Sequence, residues 1–207
     1  MGKDSIFFGD AKLNYGEKEV SGKYAIIDGE DFFLIENYSK MRPFFMTIVS
    51  ANDHWLFIAS NGGLSAGRKN PEQSLFPYYS DDKIINSTSD TGSKTVLRVK
   101  TEEGIKLWEP FTEAFEGIYN TTSNLYKNRE GSKIIFEETN HDLGLSFRYG
   151  WMFSEKFGIV KKSQLTNLTS KAIDVEILDG IRNILPYGVS SALQDIRSTL
   201  VDAYKRC

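Results

Sequence analysis

Cysteine is almost missing from this chain. Cys207 is the only one, so no internal disulfide can close, and a reducing, cytoplasmic location is expected. Histidine is nearly as scarce. His54 and His141 have no His, Cys or carboxylate partner at ligand spacing, so neither a metal site nor a cofactor is expected. An excess of one charge is lacking too: a net charge of −3 and a pI near 5.5 provide no footprint for nucleic acid. No apolar run approaches a membrane span, and the opening MGKDSIFFGDAKLNYG holds no signal-peptide core, so no membrane partner and no secretion are expected. The Asn-x-Ser/Thr sequons at Asn37, Asn86, Asn120 and Asn167 then read as accidents of an Asn-rich sequence.

What the chain has is aromatic residues in alternation. Its 14 Phe, 10 Tyr and 3 Trp favour strands and apolar or sugar-facing surfaces over helix bundles. In LSFRYGWMF, a period of two puts Leu145, Phe147, Tyr149, Trp151 and Phe153 on one strand face. KAIDVEIL turns Ile173, Val175 and Ile177 inward and Asp174 and Glu176 outward; SKTVLRVK and SKIIFEE are shorter examples. Turns are predicted at Asp28-Gly29-Glu30, Asn52-Asp53, Gly104, the Asn128–Gly131 segment and Asp179-Gly180. Roughly ten closely spaced strands predict an all-β, antiparallel sandwich or barrel over residues 1–189.

The tail differs. Leu193, Ile196, Leu200, Val201 and Tyr204 recur at helical spacing, which predicts an amphipathic C-terminal helix over 190–207. Ser191 with Gln194 matches a capping box, and no stop signal follows, as expected of a linker or of a segment cut from a longer protein.

SNGGLSAGRKNPEQSLFPYY, residues 60–79, carries the one glycine-rich motif. Gly62 and Gly67 have the spacing of a phosphate-cradling loop, but Arg68 stands where lysine belongs and Lys69 where the magnesium-binding hydroxyl belongs. A cation cannot hold magnesium, so the segment reads as a polar turn leaving a strand. Sugars stack their apolar faces on rings and need planar polar partners for their hydroxyls. Asn61, Arg68, Tyr78 and Tyr79 supply both, and Trp108, placed by Glu109-Pro110 at an exposed or edge position, is the fifth candidate for carbohydrate binding.

No residue is assigned a catalytic role. Asp174, Glu176 and Asp179 have the spacing of an acidic glycosidase strand motif, with the acids exchanged, but alternation opposite an Ile-Val-Ile core also yields a solvated face. The acid pairs at 136–138, 102–103 and 81–82 read as surface pairs, and no nucleophile elbow marks a serine.

HWLFIASNGGLSAGRKNPEQSLFPYYSDDKI, KLWEPF and KKSQLTNLTSKAIDVEILDGIRNILP together resemble the N-terminal region of cellobiose phosphorylase-like proteins, glycoside hydrolase family 94, formerly glycosyltransferase family 36, over roughly residues 40–190. The resemblance implies a β-super-sandwich of the galactose-mutarotase-like type, joined by a helical linker to a helical-barrel domain that carries the catalytic acid and the phosphate site. It implies a non-catalytic domain with a structural role, in contact with that barrel of a parent chain and with carbohydrate; homodimerisation is left open. The alternatives are a free-standing carbohydrate-binding module, a jelly-roll glycosidase, and a mutarotase-like epimerase using His54 and His141.

Overall fold

Alternating apolar residues build strands between Phe7 and Arg182 in the computed structural model, which describes residues 5–13, 18–78, 81–196 and 203, positions 81 and 82 by backbone alone. In chain order the strands are β1 (Phe7–Phe8), β2 (Ala11–Lys12), β3 (Ser21–Ile27), β4 (Glu30–Glu36), β5 (Phe45–Ile48), β6 (His54–Ala59) and β7 (Leu64–Arg68). After the short helix α1 (Asp81–Asn86) come β8 (Gly92–Thr101), β9 (Gly104–Trp108), β10 (Thr121–Asn128), β11 (Lys133–Asn140), β12 (Leu145–Ser154), β13 (Gly158–Asn167) and β14 (Val175–Arg182), then helix α2 (Ser191–Ile196). The protein is mostly β, and among the described residues all strand pairs are antiparallel.

A six-stranded sheet runs in the order β13-β12-β11-β10-β4-β3, and two three-stranded sheets run β14-β8-β9 and β5-β6-β7. One core joins them. Leu125, Ile134, Phe136, Phe147 and Trp151 of the large sheet meet Leu56, Ile58 and Leu64 of one small sheet and Leu97, Val99 and Trp108 of the other. Leu145, Phe147, Tyr149 and Trp151 are all buried on one face, as the two-residue period in β12 requires.

The hairpins follow turn chemistry. Asp28 and Gly29, both at positive φ, close β3–β4 in a two-residue turn of the type that matches strand twist, and Glu30 already pairs with Ile27. Ser60 to Gly63 turn β6 into β7, with Gly62 at φ 91 and its N–H donating to the Ala59 carbonyl. The glycine-rich segment is thus a hairpin turn and the strand that leaves it. Gly67 makes room for a ring. The Trp55 indole lies across it from the paired position on β6, where a Cβ would fall 2.6 Å from the ring.

Three expectations are corrected. Asp179-Gly180 is not a turn but lies within β14, paired with Thr95 and Lys94 of β8. Ile177 does not reach the core; it is 50% exposed because β14 is the edge strand of its sheet, and only Ile173 and Val175 pack inward. The capping box at Ser191 and Gln194 is replaced by Ser190, whose hydroxyl accepts from the Leu193 N–H, while Ser191 donates to Glu72. Leu193 packs against Leu185 and Val189, and Ile196 is exposed; Leu200, Val201, Tyr204 and Cys207 lie outside the described residues.

Candidate functional site

The segment Trp108-Glu109-Pro110-Phe111 and strand β11 build a site between them. On β11, Ile134, Phe136, Glu138 and Asn140 share the face turned to the core, so alternation carries a carboxylate inside. Glu138 is only 7% exposed, and Glu137, on the other face, 8%. The expectation that acids 136–138 form a surface pair is therefore corrected. Glu137 is held by Arg148, the Tyr126 hydroxyl and the Asn124 amide; its charge raises the Tyr126 phenol, already pushed up by burial, to about 12.

Glu138 is gripped from three sides. The Trp108 indole Nε1 donates to its Oε1 at 3.0 Å, the Phe111 backbone N–H to its Oε2 at 3.0 Å, and the Ser123 hydroxyl to Oε2 at 3.4 Å. Burial pushes this carboxyl above its ordinary value, and the three donors with the charge of Lys18 offset only part of that. Phe111 aims its N–H from a left-handed conformation, φ 66, which a bulky residue adopts at a cost of about 1–3 kcal/mol. Its ring, packed against Phe136, Phe147 and Tyr149, holds it there.

Glu138 forms one wall of a cavity of about 200 Å³, which Trp108, Asn61, Tyr38, Tyr119 and Tyr149 also line. An adjoining groove of about 690 Å³ continues past Asn61, Phe111 and Tyr149 to Lys94 and Arg182. Asn61 sits in the β6–β7 turn. Its Nδ2 donates to the Ile85 carbonyl at 2.8 Å, which fixes the amide orientation and leaves Oδ1 buried without a partner. Tyr38 and Tyr149 are both driven up by burial and stay protonated, so they present neutral hydroxyls. The wall is thus aromatic with hydrogen-bonding groups set among the rings, the usual make-up of a small-molecule site.

The candidates read from the sequence divide between places. Asn61 and Trp108 meet at the cavity. Trp108 ends an edge strand, as expected, but is 2% exposed, so it is no open platform; its indole N–H is spent on Glu138. Tyr78 stands elsewhere, 47% exposed, edge-on to Trp55 at 5.7 Å. With Phe57 and Phe45 these rings form a row on the outer face of β6 and β5. Arg68 is exposed at the end of β7; by strand alternation it shares the face of Leu64 and Ala66, opposite that row. Tyr79 lies outside the described residues. Glu138 and Ser123 were missed because a buried acid looks like a surface acid until the strand face is known. Proline two residues beyond Trp108, forcing a turn back onto β11, was the available signal.

The remaining acids and histidines stay apart. Asp174 pairs with Lys100 at 2.7 Å and Glu176 with Arg98 at 2.5 Å on an exposed face. Asp179 points the other way, to Lys161 and Thr95. His54 lies against Phe153 and His141 against Thr122, at opposite ends of β12, ~25 Å apart along the strand. The pairing an epimerase needs is therefore not formed. Among the described residues no group of three His, Cys, Asp or Glu could hold a metal ion, and no helix is long and apolar enough to cross a membrane. No family model matches the chain, and no curated protein matches it.

Proposed function

We propose that this chain is a non-catalytic β-super-sandwich domain, of the galactose-mutarotase-like type, of a carbohydrate-active, glycoside-phosphorylase-like enzyme, and that its cavity holds a sugar unit. The observation that carries the sugar contact is the cavity wall: a clamped carboxylate and the Asn61 amide on a wall shared with tyrosine, phenylalanine and tryptophan side chains. Hydroxyl groups donate to a carboxylate, and the exposed Phe115 and half-buried Tyr119, which also line the cavity, offer rings to the C–H face of a pyranose. A single core shared by three antiparallel sheets supports the sandwich reading.

The non-catalytic part rests on the carboxylates. Glu138 has most of its acceptor positions occupied by fixed donors; of the other acids that line the cavity, Glu109 and Glu116 are in ion pairs and Glu113 is exposed. Bond cleavage is assigned to the helical-barrel partner domain that the family resemblance implies.

Two assays on the chain test this together. Calorimetric titration with gluco-oligosaccharides should show saturable binding that Asn61→Ala weakens about tenfold, the value of one lost hydrogen bond to a neutral group. Incubation with β-glucosides and inorganic phosphate should release no sugar 1-phosphate. Sugar 1-phosphate release, or the absence of any sugar binding, defeats the reading.

A further inference from the structure

The charges around the cavity say more about its ligand. Four carboxylates line it, those of Glu109, Glu113, Glu116 and Glu138, against two ammonium groups, Lys18 and Lys40. Lys40 is spent on Glu116 at 2.8 Å, and Glu109 is paired with Lys94 from the adjoining groove. Lys18 is committed to the Thr121 carbonyl and, at 3.3 Å, to the Asn120 amide oxygen. Glu113 and Glu138 remain without an ion-pair partner among the described residues.

Of these two, Glu138 is the buried one. A carboxylate has about four acceptor positions. Three are filled here, two on Oε2 and one on Oε1, by donors that are all neutral. Among the described residues one position on Oε1 is therefore open, and no cation contacts the charge. A buried charge in that condition gains more from a cationic donor than from a hydroxyl, because ion–ion hydrogen bonds are shorter and stronger than those with one neutral partner.

Resting on the reading of the cavity as a sugar site, we infer that the sugar it takes carries an ammonium group, an amino sugar with its amine free, placed on Glu138 Oε1. The same charges disfavour acidic and phosphorylated sugars, since Glu113 and Glu138 outnumber the one uncompensated ammonium of Lys18.

The test compares D-glucosamine, N-acetyl-D-glucosamine, D-glucose and D-glucuronate by calorimetric titration at neutral pH, where the buried carboxyl has given up its proton and most of the amine still carries its charge. Glucosamine is expected to bind about tenfold or more tightly than glucose, the scale of one charge-assisted hydrogen bond. N-acetylation, which removes the charge, should abolish that gain, and Glu138→Gln should erase the gap between glucosamine and glucose. The acetylated sugar makes the comparison in the wild-type protein, so the test survives a Glu138→Gln variant that does not fold. Equal affinity for glucosamine and glucose, tighter binding of glucuronate, or a glucosamine preference retained in Glu138→Gln overturns the inference and leaves the sugar site standing. Binding of none of the four sugars defeats both.

Discussion

Trp108, at the end of edge strand β9, donates its indole N–H to Glu138 on β11, tying a three-stranded sheet to the six-stranded one through a buried polar bond. A hydrogen bond to a charged group is worth about 1.5–3 kcal/mol. Trp108→Phe keeps most of the ring but removes the donor, and should lower unfolding free energy by about 2–3 kcal/mol, measured by denaturant titration. A loss below about half a kilocalorie would mean the bond does not clamp the carboxylate.

The pH dependence of stability isolates the same carboxyl. Burial sets the Glu138 pKa above the ordinary 4.5, so the folded protein keeps the proton to higher pH than the unfolded chain does. Its contribution to stability is therefore fully present below 4.5 and is lost as the pH rises through the folded value. Other carboxylates shift the opposite way: Lys133 and Asn128 hold Glu30 low, and Lys23 and Ser21 do the same to Glu36, so the informative quantity is a difference. The melting temperature of the wild type minus that of Glu138→Gln should shrink as the pH goes from mildly acidic to neutral. A gap that stays constant, or widens, contradicts the assignment.

Gly67 offers a purely steric test. A Cβ there meets Trp55 Cζ2 at 2.6 Å, the Gln73 carbonyl oxygen at 2.7 Å and Ser74 Cα at 2.8 Å, two of them backbone atoms that cannot swing aside. Gly67→Ala should cost about 1–3 kcal/mol as overpacking. Gly180→Ala, with nothing within 4 Å and no left-handed φ, should stay within about half a kilocalorie of the wild type. Equal effects in thermal melts would show that Trp55 does not lie across β7.

The alternation in 145–153 placed Leu145, Phe147, Tyr149 and Trp151 on a buried strand face, with Phe153 only half-buried at its end, because a strand's period depends only on its own residues. The Asp28-Gly29 turn was equally legible, since positive φ at two adjacent positions selects for those residue types. Where reading stopped was at edges and across sheets. Ile177 follows the alternating pattern yet stays exposed, because burial depends on what faces β14 and not on β14 itself. Trp108 was singled out for exposure and found clamped, and Glu138 was passed over, since the pair is thirty residues apart and meets only when two sheets pack. Asn61 was picked out as a planar polar partner for sugar hydroxyls, but the Ile85 carbonyl of α1, which takes one of its amide protons, was not legible.

The most direct measurement is a sugar titration followed on the indole N–H signals of the three tryptophans by ¹⁵N-correlated NMR. Trp108 lines the cavity, Trp151 is sealed in the core, and Trp55 belongs to the aromatic row on the outer face. Saturable movement of the Trp108 signal, with Trp151 and Trp55 still, is what a sugar in the Glu138 cavity requires. Movement of Trp55 alone would put the sugar on the outer row, and three unmoved signals would leave the cavity without its ligand; either result contradicts the account.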